Sequence, residues 1–326
     1  MVPQTTPFFS GPYASVFYSL VEQKRLEGYK YNSGVSYLHT LDAYCKNITA
    51  TPIELKSEEL SGWLSKKPNQ SPSNFSARNT VYSHLYKYCM ANDISYFPEP
   101  NPVHQHFYAN DFVPYIFSHK EIENLIKAVD SDSYPNPTFQ RCAPVMIRLL
   151  YGTGLRINEA TSLLVSDINL NEKYLVVRDG KYENSRIVPL SKSLSDCLAQ
   201  YMNDTKYESH ENLFQGRTHK QLDKKTVYDW FRRILWRAGI PHQDNRKGPR
   251  LHDFRHTFAV HSLQCAVEKG IDINAFLPIL SVYLGHRNLS ATEKYLRLTA
   301  EVYPSMVDKV SDITVGIIPE VQDYED

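Results

Sequence analysis

The sequence predicts a mainly α protein with one small β-sheet, an α+β arrangement in two domains. Apolar residues recur at spacings of three and four through most of the chain, a single stretch near residues 174–190 is rich in β-formers, and three prolines alternate near residue 100. A length of 326 residues lets each of two domains bury its own core.

Residues 1–11 are an N-terminal extension too short to fold alone. Residues 12–96 read as an all-helical domain, with helices at Ala14–Leu26, Tyr31–Lys46, Ser57–Ser65 and Ser76–Asn92. The polar, proline-containing segment Lys67–Ser73 reads as the loop before the fourth helix. Pro98, Pro100 and Pro102 then open a linker over residues 97–110, which alternate prolines should hold extended.

The second domain, residues 111–310, begins with helices at Ser118–Val129 and Phe139–Leu150. After a turn at Gly152 and Gly154 another helix is expected over Asn158–Val165. Tyr174–Val177 and Arg186–Leu190 flank a polar turn containing Gly180 and predict a β-hairpin. Helices resume through Leu298, and Ser290-Ala291-Thr292-Glu293 reads as a capping box for a helix starting at Ala291. Residues 311–326 form an acidic tail.

Composition narrows the function classes. The chain is 42% hydrophobic with no apolar run near the ~20 residues of a membrane span. The N-terminus lacks the basic start and apolar stretch of a signal peptide, so a cytoplasmic protein with no membrane partner is expected. Five widely spaced cysteines without a C-x-x-C pair suggest neither a disulfide framework nor a zinc site. A formal net charge of zero argues against a nucleic-acid partner. The distribution answers in part: Gln215 to His256 holds eleven Lys/Arg against four Asp/Glu, while residues 311–326 hold five acids and no base. Arg217, Lys220, Lys224, Lys225, Arg232, Arg233 and Arg250 are the candidate DNA-binding residues there, although such a stretch can also be a merely solvated face.

Five clusters carry a common chemistry: Arg156 in Gly154-Leu155-Arg156-Ile157-Asn158-Glu159, Lys181 in the hairpin turn, His252-Asp253-Phe254-Arg255, Leu284-Gly285-His286, and Tyr295 nine residues on. Two arginines, a lysine and two histidines suit a phosphodiester whose negative charge grows during displacement, and a tyrosine suits its nucleophile. Guanidinium groups offer paired donors to phosphate oxygens and stay charged. Glu159, three residues after Arg156, shares its helical face and is expected to steady an arginine or histidine without touching substrate, or to be a plain surface carboxylate. Each of these residues also has a bland reading, as ion pair or core side chain.

From Phe117 to Leu298 this order resembles the tyrosine recombinases, the phage integrase family, with Leu149–Arg156 similar to its first arginine box and Leu251–Ala259 to its second. The resemblance implies a helical SAM-like core-binding domain at 12–96 and a tyrosine-recombinase catalytic domain at 111–310. It implies cleavage of double-stranded DNA through a 3′-phosphotyrosine by Arg156, Lys181, His252, Arg255, His286 and Tyr295, without cofactor or metal. Tyr295 would be the nucleophile, Lys181 the general acid, His252 the acceptor of the tyrosine proton and His286 a phosphate donor. Lys173 and Lys192 flank the hairpin as rivals to Lys181.

The implied assembly is a tetramer on two duplexes, aided by a directionality factor, with the tail's Ile313–Ile318 run docking on a neighbouring copy. The expected process is integration or excision of a mobile element, the alternatives being a chromosome or plasmid dimer-resolving recombinase and a type IB topoisomerase-like enzyme. Residues 266–278 lengthen the usual spacing between the second box and Leu284-Gly285-His286. A competing metalloprotease reading of His252 and His256, with His261 as third ligand, lacks the glutamate such a helix needs.

Overall fold

The computed structural model describes residues 8–100, 113–131, 136–178, 185–205, 210–216, 219–242, 248–286 and 290–302. The chain divides into two compact units, Met1–Phe112 and Val113–Asp326.

In the first unit α1 (Ala14–Leu26), α2 (Asn32–Lys46), α3 (Ser57–Leu64) and α4 (Pro72–Ala91) enclose a core that includes Tyr13, Phe17, Leu38, Leu41, Leu60, Tyr82 and Leu85. The fourth helix starts four residues before the expected Ser76, because Ser71 accepts a hydrogen bond from the Asn74 N–H and Pro72 takes the first helical position. A serine cap followed by proline is a start signal within a stretch that composition alone marks as loop. Arg78 on α4 is buried, donates to the Ser65 carbonyl at 2.6 Å and lies over the Trp63 ring, tying α3 to α4.

The second unit begins with α5 (His119–Asp130), where Ser118 and Glu121 form a reciprocal capping box. α6 (Pro137–Thr153) starts at an Asn136 cap and stops at Gly154, whose φ of +61° opens the left-handed turn that releases Leu155 and Arg156. A side chain there would meet Phe258 at 2.7 Å, so space as well as backbone requires glycine. The next helix, α7 (Ile157–Ser162), is shorter than expected and gives way to a 3-10 turn at Val165–Asp167.

The sheet has three antiparallel strands in the order β1 (Ile168–Asn169), β2 (Tyr174–Val177), β3 (Arg186–Pro189). β2 and β3 pair with Val177 opposite Arg186 and Tyr174 opposite Pro189. β1 escapes sequence reading because two residues carry no periodicity. α8 (Lys192–Thr205), α9 (Lys224–Arg237), α10 (Asp253–Glu268), α11 (Ile273–Leu284) and α12 (Ser290–Val302) follow. α12 includes Ser290, one residue earlier than expected.

α10 is the central element, packed on α6, α11 and α12. One core cluster runs from Phe117 through α6 and the sheet to Phe254, and a second joins α10, α11 and α12 around Leu263, Leu280 and Tyr295. Residues 266–278 form the last turn of α10, a bend with Gly270 at φ +68° and the first turn of α11, so added length there leaves Arg255 and His286 at adjoining helix ends. Among the described residues no helix is long and apolar enough to cross a membrane.

Candidate active site

Four segments of the second unit meet at Tyr295: the turn after α6, the start of α10, the turn after α11 and the first turns of α12. The lysine expected to join them, Lys181, lies outside the described residues, as do Arg217 and the tail at 311–326.

Arg255 is buried, 2% exposed, and is in no described ion pair. Its guanidinium donates to the carbonyls of Gly154 at 3.0 Å and Leu284 at 2.6 Å, the C-terminal ends of α6 and α11. Helix C-termini carry partial negative charge, which compensates this cation without a carboxylate. Burial, then the neighbouring Arg156 charge, lowers its pKa to about 10, still well above neutrality.

Arg156 precedes α7 and is more open, with a side-chain exposure of 41%. It donates to Glu159 Oε1 at 2.7 Å and to the Gly285 carbonyl at 3.4 Å. Glu159 also accepts the Arg156 backbone N–H at 2.9 Å. The same carboxylate receives both ends of the Arg186 guanidinium, at 3.1 and 2.8 Å, while Arg186 Nε donates to the Tyr283 carbonyl at 2.9 Å. Burial alone would raise the Glu159 pKa; the Arg186 pair and Arg156 outweigh it and hold the carboxyl at about 2.

Arg186 therefore joins β3, α7 and the end of α11, a link that reading Arg186 only as part of a strand misses. Period-two alternation puts Arg186 on the same face as buried Val188 and opposite exposed Ile187, so an inward arginine was the available signal. Gly285, at φ +68°, makes room for it: a Cβ there would come within 2.9 Å of Arg186 Nη1.

His286 Nδ1 lies 2.7 Å from the Thr292 hydroxyl, and its ring stacks with Tyr295 at 6.1 Å. Desolvation, followed by the charges of Arg255 and Arg156, lowers its pKa to about 4. Thr292 is visible in the sequence only as part of a cap, yet it orients this histidine.

Tyr295 is 2% exposed. Burial raises its pKa, against the positive charges of Arg255 and Arg156. Its hydroxyl lies 3.1 Å from His256 Nδ1, so the histidine on the phenol is His256 and not His252, the residue expected there. His252 is accessible at the head of α10, its ring edge-on to that of His256 at 4.8 Å. Desolvation by surrounding protein, then Arg255 and Arg156, lowers its pKa. The spacing offers the signal in hindsight: His256 follows Arg255 directly and is one helical turn beyond His252.

The third histidine of the competing metal motif is engaged elsewhere, with His261 Nδ1 at 3.0 Å from the Tyr151 hydroxyl and its ring stacked on His119. Asp253, in the place of the missing glutamate, accepts the Arg250 backbone N–H at 2.7 Å. Among the described residues no three His, Cys, Asp or Glu side chains are grouped to hold a metal.

Of the expected DNA-binding residues, Lys224, Lys225, Arg232 and Arg233 lie exposed on α9, opposite its buried Val227, Trp230 and Ile234, while Lys220 and Arg250 are exposed on flanking loops.

The chain is 30% identical over 191 residues to the tyrosine recombinase XerA of Thermococcus kodakarensis, covering 58% of this chain and 60% of the relative. It is 32% identical over 171 residues to XerA of Pyrococcus horikoshii, covering 51% and 53%. The chain thus spans less than two thirds of these relatives' lengths.

Among solved structures, XerH recombinase bound to its palindromic difH substrate superposes with a TM-score of 0.65 at 19% identity, over 86% of this chain and 78% of that one. The Tn1549 transposon integrase in complex with circular-intermediate DNA gives 0.62 at 16%, over 88% and 95%. These likenesses show a shared fold. Residues 116–301, more than half of the sequence, match the model of the phage integrase family, and the chain belongs to that family.

Proposed function

We propose that the protein is a site-specific DNA recombinase whose Tyr295 attacks a phosphodiester, forms a 3′-phosphotyrosine and frees a 5′ hydroxyl. The observation that carries this reading is the buried Tyr295 hydroxyl on a histidine nitrogen, near the charges of Arg255 and Arg156 and with the His286 ring stacked beside it. Arg156 and Arg255 neutralise the non-bridging oxygens, the largest contribution expected of protein groups in phosphoryl transfer. With Thr292 donating to Nδ1, a neutral His286 keeps its proton on Nε2 and gives it to a phosphate oxygen. His252 stands at the open side of the site, next to the path of the DNA.

Lys181 protonates the departing 5′ oxygen. Glu159 and Arg186 hold the phosphate-binding turns in place. The bond energy is kept in the phosphotyrosine, so no ATP, cofactor or metal is needed.

Double-stranded DNA is the partner, a reading supported by the fold shared with XerH recombinase bound to difH substrate and with the Tn1549 integrase in complex with circular-intermediate DNA. The exposed cations of α9 with Arg217, Lys220 and Arg250 face its phosphates, and residues 12–96 act as the core-binding domain. Four copies assemble on two duplexes, with a directionality factor as auxiliary partner, and the reaction integrates or excises a mobile element.

The test uses the full chain and a duplex site that it selects from a randomised pool. A nicked version of that site should trap a detergent-resistant adduct with the wild type and none with Tyr295→Phe, which should still bind. The adduct should persist in excess EDTA. Two marked sites should exchange strands; relaxation of one duplex without exchange would instead indicate a topoisomerase, and an adduct with Tyr295→Phe would place the nucleophile elsewhere.

A further inference from the structure

We propose that His256 is the base that takes the proton of the Tyr295 hydroxyl, a proposal that rests on the recombinase reading above. One contact on the phenol oxygen carries it. Arg255 lies near as a positive charge and is donor-only, so it offers the phenol proton no acceptor. The 3.1 Å contact to His256 Nδ1 is the outlet for the hydroxyl proton, because the group is buried away from water. His256 must hold its own proton on Nε2 and present Nδ1 as an acceptor.

The step balances within these groups. As Oη bonds to phosphorus, the Oη–H bond breaks and its proton moves to Nδ1, giving an imidazolium. The bond from phosphorus to the 5′ oxygen breaks, and that oxygen takes a proton from the general acid. Rejoining reverses each transfer, with the imidazolium returning its proton to the departing phenolate.

The surroundings link this base to substrate. His256 is faced by His252 and Arg255 on its own helix, by Lys294 and Tyr295 from α12 and by His286 from the turn after α11. Desolvation, then His252 and the charges of Lys294 and Arg255, lowers its pKa to about 3 in the DNA-free protein. A phosphodiester anion seated among the arginines cancels part of that field and raises the proton affinity of Nδ1. The base thus gains strength when the scissile phosphate arrives, and the phenol stays protonated before then.

The experiment compares His256→Asn, His252→Asn and the wild type in single-turnover adduct formation on the nicked selected site, from about pH 3 upward to neutrality. Asparagine keeps a polar group near the Nδ1 position but cannot take the proton. His256→Asn should slow adduct formation by about 10²–10⁴-fold, the usual range for a lost general base. It should also abolish the low-pH fall in rate that the wild type shows as His256 protonates, whereas His252→Asn should retain that fall.

A wild-type pH profile preserved in His256→Asn and lost in His252→Asn overturns the proposal and leaves the recombinase reading intact. A wild type that forms no Tyr295-dependent adduct overturns the reading itself. Nitrogen-15 shifts of histidine in the DNA-free wild type give a check free of folding effects: an unprotonated His256 Nδ1 is expected, and a protonated one overturns the proposal.

Discussion

Replacing Glu159 by glutamine should destabilise the second unit by about 3 kcal/mol and uncouple its stability from acid pH. The carboxyl is 14% exposed and faces two guanidinium groups, Arg156 and Arg186, through one bidentate and one single pair. Its fall from 4.5 to about 2 corresponds to about 3 kcal/mol at roughly 1.4 kcal/mol per pH unit, similar to the 3–5 kcal/mol for breaking a buried pair and stranding its partner. Because the folded pKa is depressed, the contribution is fully present above about pH 4.5 and is lost as pH falls toward 2.

Urea unfolding followed by fluorescence, with Trp230 and Trp236 reporting on this unit, measures both effects. The gap between wild type and Glu159→Gln should be widest near pH 7 and should have closed mostly by about pH 2. Adding Arg186→Met to the variant should recover part of the loss, since the stranded cation is then gone. A gap below about 1 kcal/mol, or one that stays constant into acid, would refute the argument that this pair is a buried strut.

Lys181→Ala should slow cleavage of ordinary DNA far more than cleavage of DNA whose 5′ leaving oxygen is sulfur, since a thiolate leaves without a proton; equal defects would limit Lys181 to positioning. Thr292→Val should lower the adduct-forming rate by about tenfold with little change in DNA affinity, by freeing His286 Nδ1; an unchanged rate removes Thr292 from the site. Gly285→Ala should destabilise the unit by at least about 1 kcal/mol through its positive φ, read by the same urea titration. Deleting residues 311–326 should leave binding of one site intact and weaken the two-duplex complex on native gels, and unchanged assembly would exclude a coupling role.

Long amphipathic helices were legible in the sequence because their apolar spacing is set by burial on one face, and α1 matches its expected span at both ends. The hairpin strands were legible from β-branched content. Boundaries set by single capping residues, such as Ser71 before Pro72 and the break from α7 into the 3-10 turn, depend on one or two hydrogen bonds and leave no periodic trace. At the site the motif identifies Arg156, Arg255, His286 and Tyr295, and the fold brings them together. It does not identify which histidine sits on the phenol, because His252 and His256 share a helical face and only the packing of α12 distinguishes them.

The glycine after α11 has a consequence for how this protein can vary. Position 285 is constrained twice, by its left-handed backbone and by the guanidinium lying against the space where a side chain would begin. The two demands are separable. Asparagine could satisfy the first but would still collide with Arg186, while a shorter residue at 186 would remove the collision but leave Glu159 with half its partners. Positions 159, 186 and 285 therefore form a unit of heredity: a change at one is tolerated only with matched changes at the others, although they are separated by as many as 126 places in the sequence. Swapping segments between related chains should follow the same rule, with chimaeras joined between positions 186 and 285 failing unless both sides come from parents that solve this contact alike.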